Sequence, residues 1–239
     1  MVSGSGAPNI FDRQLLRKRL KSLNYPETPD FLLLRTAEDL TDRLLTIKRP
    51  FERSLDLSYW AKNYSMAVCA TGRNMPITAN LITGDIIADE EKLPFKTGYF
   101  DLVVSGLSLQ WVNDLPGALT QIKQLLSPDG FFIACLTGGL SLIELRTVFA
   151  QAEEEITGGV SPRVFPFVEI KDVGHLLQRA GFALPVADVD SFTIRYDSLL
   201  DLIIDLKKMG AGNILSQRSI KPLRRDILRR ASEIYIERF

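Results

Sequence analysis

A single carboxylate, Asp56, ends a short apolar run in the stretch LDLSYWAKNYS, residues 55–65. In many nucleotide-binding proteins such a strand leads directly into a glycine-rich turn. Glycine permits positive φ there and lets backbone N–H groups approach the ligand. Here the turn positions hold Ser58, Tyr59 and Trp60 instead of glycine. The strand and its carboxylate indicate a cofactor loop, whereas the residues that follow argue against one.

The histidine and cysteine counts exclude several other chemistries. The one histidine, His175, rules out a zinc or iron site built from several histidines of this chain. The sequence contains neither a G-x-S-x-G nucleophile elbow nor a G-x-x-x-x-G-K-[ST] phosphate loop. Two cysteines, Cys69 and Cys135, are too few for a disulfide framework. We therefore predict no metal site.

Composition and charge place the chain among ordinary globular proteins. Hydrophobic residues make up 46% of the 239 residues, and the formal net charge is +0, which gives no general reason to expect DNA binding. No apolar run is long enough to span a membrane, and the first twenty residues lack the apolar core of a secretory signal. Those residues are basic and somewhat amphipathic, as in a mitochondrial presequence, although the early Asp12 counts against one. The prediction is a cytoplasmic protein if bacterial and a mitochondrial matrix protein if eukaryotic.

The elements that would position these groups alternate between short apolar runs and helical patterns. The runs predicted as strands are SLDL at 54–57, NLITGDI at 80–86, YFDLVVSGL at 99–107, GFFIACL at 130–136 and a stretch near 184–192. Continuous apolar runs of this length suit strands buried on both faces of a mostly parallel sheet. The fold prediction is therefore a doubly wound α/β sheet with N-terminal helices and C-terminal helices.

Helical periodicity and capping residues predict the helices. Thr28-Pro29 begins a helix with Leu33, Ala37, Leu40 and Leu44 inward and Thr36 outward. Further helices are predicted from about 115 to 126, at 141–155 with a capping box of Ser141 and Glu144, at 169–180 ending at Gly181, and twice near the end of the sequence. We predict a helical extension over 1–50, an α/β domain over 51–196 and closing helices over 197–239.

Three long segments resemble one protein family. They are ADEEKLPFKTGYFDLVVSGLSLQWVNDLPGAL at 88–119, LLSPDGFFIACLTGGLSLIELR at 125–146 and GGVSPRVFPFVEIKDVGHLLQRAGFALPVADVD at 158–190. In this order they resemble the class I S-adenosylmethionine (SAM) methyltransferases with their Rossmann-like fold. More closely they resemble the branch of the mitochondrial complex I assembly factor 5 and the bacterial BioC-like methyltransferases.

The resemblance implies a set of site residues. An acidic residue before the LPF segment, here Asp89, would accept the adenine amino group, and the backbone around Glu90 would hold the adenine edge. The alternative for Asp89 is a solvated loop carboxylate. Three residues after the FDLVV strand would lie under the methionine part of the cofactor, and Asp56 would line the same site; these three are Ser105, Gly106 and Leu107.

Two further residues lie in the loop that faces the substrate in this family. Gln110 stands where relatives usually have histidine, and glutamine cannot act as an acid or base in its place. Trp111 would stack on a substrate or, alternatively, pack as a core aromatic.

Three departures from the family pattern weaken the implied SAM site. The glycines of the pattern L-D-L-G-x-G-x-G are absent after Asp56. From LDL to ADEE the chain is about a dozen residues shorter than the pattern, and we expect the second strand and its ribose-binding acid to be missing. The sequence also stops where relatives add a last strand, which leaves a sheet edge to be exposed or paired with a partner. We expect SAM binding to be impaired.

Three functions remain open from the sequence. The first is SAM-dependent methyl transfer, and the second is a non-catalytic binding or assembly module for a respiratory complex I subunit. The third is the arginine hydroxylation associated with the assembly-factor branch, for which one histidine offers few iron ligands. Residues 207–238 are rich in lysine and arginine, which favours either an anionic partner such as a membrane surface or simply a solvated helix face.

Overall fold

The structure is a computed structural model that describes residues 8–23 and 31–239. Its helices are α1 (Arg13–Ser22), α2 (Phe31–Leu45), α3 (Ala61–Ala70), α4 (Leu115–Leu125), α5 (Ile143–Thr157), α6 (Ile170–Arg179), α7 (Leu199–Lys208) and α8 (Arg225–Arg238). Its strands are β1 (Ser54–Asp56), β2 (Ile77–Asn80), β3 (Ile86–Ile87), β4 (Phe100–Gly106) and β5 (Leu126–Cys135). The predicted helix start at Thr28-Pro29 lies outside the described residues.

The described chain divides into two compact units. One comprises residues 31–138 and 168–187 and contains the whole sheet. The other comprises Asn9–Leu23, Gly139–Phe167 and Asp188–Phe239 and is helical. Each unit has its own hydrophobic core. That the stretches 1–50, 51–196 and 197–239 fold as separate domains stays a prediction.

All five strands of the first unit are parallel, in the order β3-β2-β1-β4-β5. β1 lies at the centre, with Asp56 opposite Thr78 of β2 on one side and Val104 of β4 on the other. Because the chain continues from β1 to one side and later returns to the other, the carboxyl end of β1 is the switch point where α/β proteins place ligands. The predicted α/β fold with a mostly parallel sheet is confirmed.

Three of the five predicted strands are confirmed and two are wrong. The runs at 54–57, 99–107 and 130–136 correspond to β1, β4 and the greater part of β5. In the run at 80–86, residues 81–85 instead form a bend between β2 and β3, and only the first and last residues of the run belong to strands. Thr78 donates its N–H and its Oγ–H to Asp85 Oδ2 at 2.8 and 2.9 Å, and Asn80 Oδ1 accepts from the next backbone N–H groups. These side chains satisfy the hydrogen-bonding capacity of the backbone N–H groups locally and turn the chain. The segment therefore does not form the strand that its apolar residues predicted.

The region near 184–192 forms no strand. Leu184 has a φ of 52° and an exposed fraction of 93%, and Val186 is 85% exposed. Apolar composition predicted a strand here, but a residue in the left-handed region interrupts the extended backbone that a strand requires.

The second strand, expected to be missing, is present as β2. The shortening instead falls between β2 and β3, which are joined by residues 81–85 alone. Parallel neighbours usually need a crossover of about a dozen residues or more, most often a helix. The usual helix of this crossover is therefore absent from these described residues.

The helix predictions hold in extent and differ in detail. The predicted core positions Leu33, Leu40 and Leu44 of α2 are buried, but Thr36, expected outside, is also buried. The capping box at 141–155 is wrong, because α5 begins after Leu142, whose φ of 57° precedes the first turn, and no side chain caps it. α6 ends just before Gly181, whose φ of 85° matches the predicted helix end.

Candidate functional site

The carboxylate at the end of β1 is bonded entirely within the protein. Asp56 is fully buried, its Oδ1 accepts the N–H of Ser58 at 2.8 Å, and its Oδ2 accepts the hydroxyl of Ser65 at 2.8 Å. Burial raises the pKa of Asp56 to about 6, against the lowering effect of the bonds from Ser58 and Ser65. Asp56 therefore holds the start of α3 in place at the switch point of the sheet.

Ser58 ties the turn after β1 to both neighbouring strands. Its Oγ accepts the backbone N–H of Gly106, at the end of β4, at 2.7 Å. Its carbonyl oxygen accepts the side-chain N–H of Asn80, at the end of β2, at 3.0 Å. All three residues are at the carboxyl edge of the sheet, so the turn closes across the switch point.

Aromatic side chains fill the space around this turn. Tyr59 and Trp60 are only 2% and 7% exposed. The ring of Tyr64, from α3, lies against Gly106 so closely that a Cβ added to the glycine would be 2.1 Å from the tyrosine Cζ. The Tyr64 hydroxyl shares a hydrogen bond with Thr36 of α2 at 2.7 Å. The group for which Gly106 leaves room in this structure is thus a tyrosine ring.

The turn does not need the glycines that the family pattern places there. Neither Ser58 nor Tyr59 has positive φ, and Trp60, at φ −99°, directly precedes α3. The backbone therefore leaves β1 by a path that ordinary L-residues adopt without strain.

Asp89 and Glu90 follow β3 at the same edge of the sheet. Asp89 is half-buried, and its Oδ1 and carbonyl oxygen accept the N–H groups of Glu91 and Lys92 at 2.9 and 2.8 Å. Glu90 is fully buried. Asp89 thus organises its own turn, and its role and that of Glu90 toward adenine stay predictions.

The end of β4 and the loop after it contain the other predicted residues. The hydroxyls of Ser105 and Ser108 share a hydrogen bond at 2.8 Å, and Gln110 donates to the carbonyl oxygen of Leu107 at 3.0 Å. Leu107 has a φ of 49°, and Trp111 is 6% exposed in a short 3-10 helix, Leu109–Trp111. The burial of Trp111 favours the core alternative over a stacking surface.

Sequence reasoning missed the residues that close this site. Tyr64, Ser65 and Thr36 did not stand out, because each is unremarkable within its own helix. Asn80 ends β2, a strand that was expected to be missing, so its position at the carboxyl edge of the sheet was not predicted. Both polar atoms of the Asn80 side chain are occupied by Ser58, Ile82 and Thr83.

The residues present do not fit SAM. The Gly106 N–H, which a cofactor would approach, is bonded to Ser58, and the end of β2 carries an amide that is already satisfied. Tyr64 lies where the close backbone approach to a ligand would be needed.

Among the described residues, no group of three or more histidine, cysteine, aspartate or glutamate side chains is arranged to hold a metal ion. In the same part of the chain, no helix is long and apolar enough to cross a membrane.

Strand order and sequence comparison agree on the class of protein. A family model described as "Methyltransferase domain" matches residues 52–134, which cover β1 to β5. A Methylovorus malonyl-[acyl-carrier protein] O-methyltransferase is 37% identical over 133 residues, 56% of this chain and 43% of that protein. The S-adenosylmethionine dependent methyltransferase structure from Mesorhizobium loti matches with 20% identity and a TM-score of 0.43, over 62% of this chain and 81% of that one. The strand order and the match to the family model give the first unit the Rossmann-like fold of the class I methyltransferases.

Similarity over nearly the whole chain narrows the assignment. The human protein "Arginine-hydroxylase NDUFAF5, mitochondrial" is 40% identical over 255 aligned positions, which cover 99% of this chain and 74% of the relative. The mouse protein of the same description is 38% identical over 256 positions, with the same coverage. The chain belongs to this NDUFAF5 family, and the predicted resemblance is confirmed. Both alignments are longer than the 239 residues of the chain, so these relatives have residues that it lacks.

Proposed function

We propose that this chain is a methyltransferase-like binding module that does not bind SAM and serves in the assembly of a respiratory complex. One observation supports this above the others. The carboxyl end of β1 is closed by protein groups, with Ser58 bonded to Gly106 and the Tyr64 ring against the same glycine. Family membership supports the assembly role, since the resemblance is to the complex I assembly factor 5 branch.

Titration calorimetry with SAM and with S-adenosylhomocysteine tests this proposal. We expect no saturable heat up to about 1 mM ligand, because binding would first have to displace buried aromatic rings. The Methylovorus-type malonyl-[acyl-carrier protein] O-methyltransferase, measured in the same buffer, is the positive control. Thermal unfolding gives a second readout, since a ligand at about 100 times its Kd would stabilise the fold by about 2.7 kcal/mol. One-site binding at micromolar SAM would overturn the proposal.

Arginine hydroxylation is the second candidate, favoured by the name of the human relative, an arginine-hydroxylase, and its 40% identity to this chain. Incubation of the chain with a complex I subunit, iron(II) and a reductant under oxygen tests it. Mass spectrometry of the subunit should then find one added oxygen atom on an arginine if the activity is present. If the arginines are unchanged and the chain still binds the subunit, hydroxylation is rejected and the non-catalytic assembly role is supported.

The same family membership supports a proposal for the partner and the compartment. We propose a respiratory complex subunit as the partner and the mitochondrial matrix as the location in a eukaryotic source, or the cytoplasm in a bacterial one. Affinity purification from mitochondria that express the tagged chain should recover complex I subunits. Recovery of ribosomal or unrelated proteins alone would contradict this assignment.

A further inference from the structure

A small cavity in the helical unit is lined mainly by apolar side chains. Its volume is about 140 Å³, and it lies between α5, α7 and the residues that follow α7. The apolar lining consists of Leu142, Leu145, Val164, Phe165, Ile203 and Leu206. Several of these side chains are half-buried, so the cavity opens to solvent.

The size of the cavity limits what can occupy it. Pockets for whole cofactors or drug-sized ligands usually measure about 300–1,000 Å³, and a cavity of about 150 Å³ in another protein holds one benzene molecule. This cavity therefore accommodates one leucine- or phenylalanine-sized side chain. An acyl chain of ordinary membrane-lipid length would be too large for it.

The polar groups at the cavity carry positive charge. Lys207 and Arg163 line it, and Arg163 is already paired with the buried Glu153. The ammonium of Lys207 has no ion-pair partner among the residues that the structure describes. One cation at the mouth thus remains available to an acidic group.

A second cation lies behind the cavity wall. Arg19 donates to the carbonyl oxygen of Asn213 at 2.8 Å, and its guanidinium is 2.8 Å from a Cβ built on Gly212. Both Gly212 and Asn213 line the cavity. Burial, and next the neighbouring Arg218, lower the pKa of Arg19. Since Arg218 is paired with Asp12, the local charge is left positive.

We propose that this cavity, defined by its apolar lining with Lys207 and Arg163, binds one apolar side chain of a partner protein within an acidic segment. The apolar lining selects the anchoring side chain, and the unpaired positive charge selects the flanking carboxylates. This deepens the proposed function and rests on it in one respect, namely that the chain binds a protein. It does not depend on whether SAM binds.

Fluorescence anisotropy with a labelled peptide tests the site. The probe is acetyl-Glu-Glu-Leu-Phe-Glu-Glu, and the matched controls replace its two apolar residues with alanine or its glutamates with lysine. We expect saturable binding of the first peptide alone, weakened as salt rises from about 0.05 to about 0.5 M because screening acts on the charge pairs. Equal binding of the alanine peptide would overturn the proposal.

Two neighbouring lysines of α7 offer a matched pair of variants. Both lysines are exposed, but Lys207 lines the cavity and the adjacent Lys208 does not. Lys207→Glu should weaken binding about tenfold or more, the effect of one close charge pair, and Lys208→Glu should change it less than about twofold. Equal losses in both variants would indicate non-specific attraction and would contradict the site.

Two further measurements separate the alternatives. Ala211→Phe, at the cavity lining, should abolish peptide binding while circular dichroism shows the fold retained; unchanged binding would place the peptide elsewhere. Flotation with phosphatidylserine vesicles tests a lipid occupant, and vesicle binding lost in Lys207→Glu without any peptide binding would overturn the protein-partner proposal. If the peptide does not bind and SAM gives no heat of binding, the cavity is rejected as a peptide-binding site, whereas the proposed function is retained.

Discussion

The residue that most reveals the state of this site is Asp56. A buried carboxylate at the switch point of a parallel sheet is expected to serve a ligand, yet both of its oxygens are occupied by Ser58 and Ser65 of the same chain. The raised pKa of Asp56 is therefore explained by its burial within the protein and is not evidence of a catalytic role. The observation has a measurable consequence for stability.

Asp56 should make stability fall as the pH rises. Its pKa is raised from 3.8 to about 6 in the folded state, so between these values the folded chain binds more protons than the unfolded chain. The free energy of unfolding then decreases by about 3 kcal/mol from this group as the pH rises through that window, and the loss is nearly complete at about pH 7. Asp56→Asn should remove this slope. Urea denaturation at about pH 4.5 and pH 7.5 measures it.

Asp85→Asn is the control of opposite sign. Hydrogen bonds from the backbone and side chain of Thr78 lower the pKa of Asp85, so its stabilisation is present above the unfolded pKa and is lost as the pH falls. Replacing Asp85 should therefore lower stability more at about pH 5.5 than at about pH 3, because its stabilising effect is lost only below the unfolded pKa of 3.8. Identical pH slopes for Asp56→Asn and the unchanged chain would contradict the assigned burial effect.

At the scale of the elements, α3 decides whether the switch point can hold a ligand. It begins directly after the turn at Trp60 and brings Tyr64 against Gly106, while Tyr64 is anchored to α2 through Thr36. β1, α3 and α2 thus hold one another in place through buried contacts. In a cofactor-binding relative, the corresponding space would have to remain open.

Gly106→Ala should be strongly destabilising. The new methyl group would be 2.1 Å from the Tyr64 ring, and the fully buried ring cannot move away cheaply. Overpacking of this kind costs about 1–3 kcal/mol or more. Gly174→Ala is the control, because no atom lies within 4 Å of its added Cβ and alanine favours the helix α6 by up to about 1 kcal/mol. Thermal unfolding of both variants gives the comparison.

The double variant Gly106→Ala/Tyr64→Leu distinguishes this cause from others. If the ring is the obstacle, the second substitution should recover part of the loss, as a coupling energy in a double-mutant cycle. Strictly additive losses would show that Tyr64 does not press on Gly106 in solution.

At the scale of the whole molecule, the chain combines two units with separate cores and a formal net charge of +0. Charges of both signs are paired on the surface, as in Arg230 with Glu155 and Glu233. Positive charge at the cavity of the helical unit is therefore a local feature, since the overall balance is neutral. Recognition by such a molecule has to come from local patches.

The neutral balance should be visible in solubility. With a sequence isoelectric point of about 6.6, self-repulsion is smallest near that pH, and we expect a solubility minimum there. Moderate salt should raise the solubility, because it screens attraction between opposite patches on different molecules. Static light scattering from about pH 5 to pH 9 measures this. A solubility that does not vary over this range would contradict the expectation.

The sequence by itself determined the parts that depend on short-range patterns. The apolar runs around Leu55, Val103 and Phe132 predicted buried parallel strands, and helical spacing predicted α2, α4 and α6. The missing glycines after Asp56 predicted an impaired SAM site, and this stays a prediction. Each of these signals acts over a few residues, through backbone sterics or the periodicity of side chains, so it can be read without the fold.

Tertiary structure alone decided which side chains close the turn after β1 and where the shortening fell. Tyr64 and Gly106, or Ser58 and Asn80, are far apart in sequence and meet only because parallel strands bring their carboxyl ends to one edge. The same holds for Thr36. Its side chain was predicted to be exposed, but in the structure its hydroxyl is buried and shares a hydrogen bond with the hydroxyl of Tyr64. The local sequence pattern cannot predict such contacts, because they form only when the sheet and the helices around it are assembled.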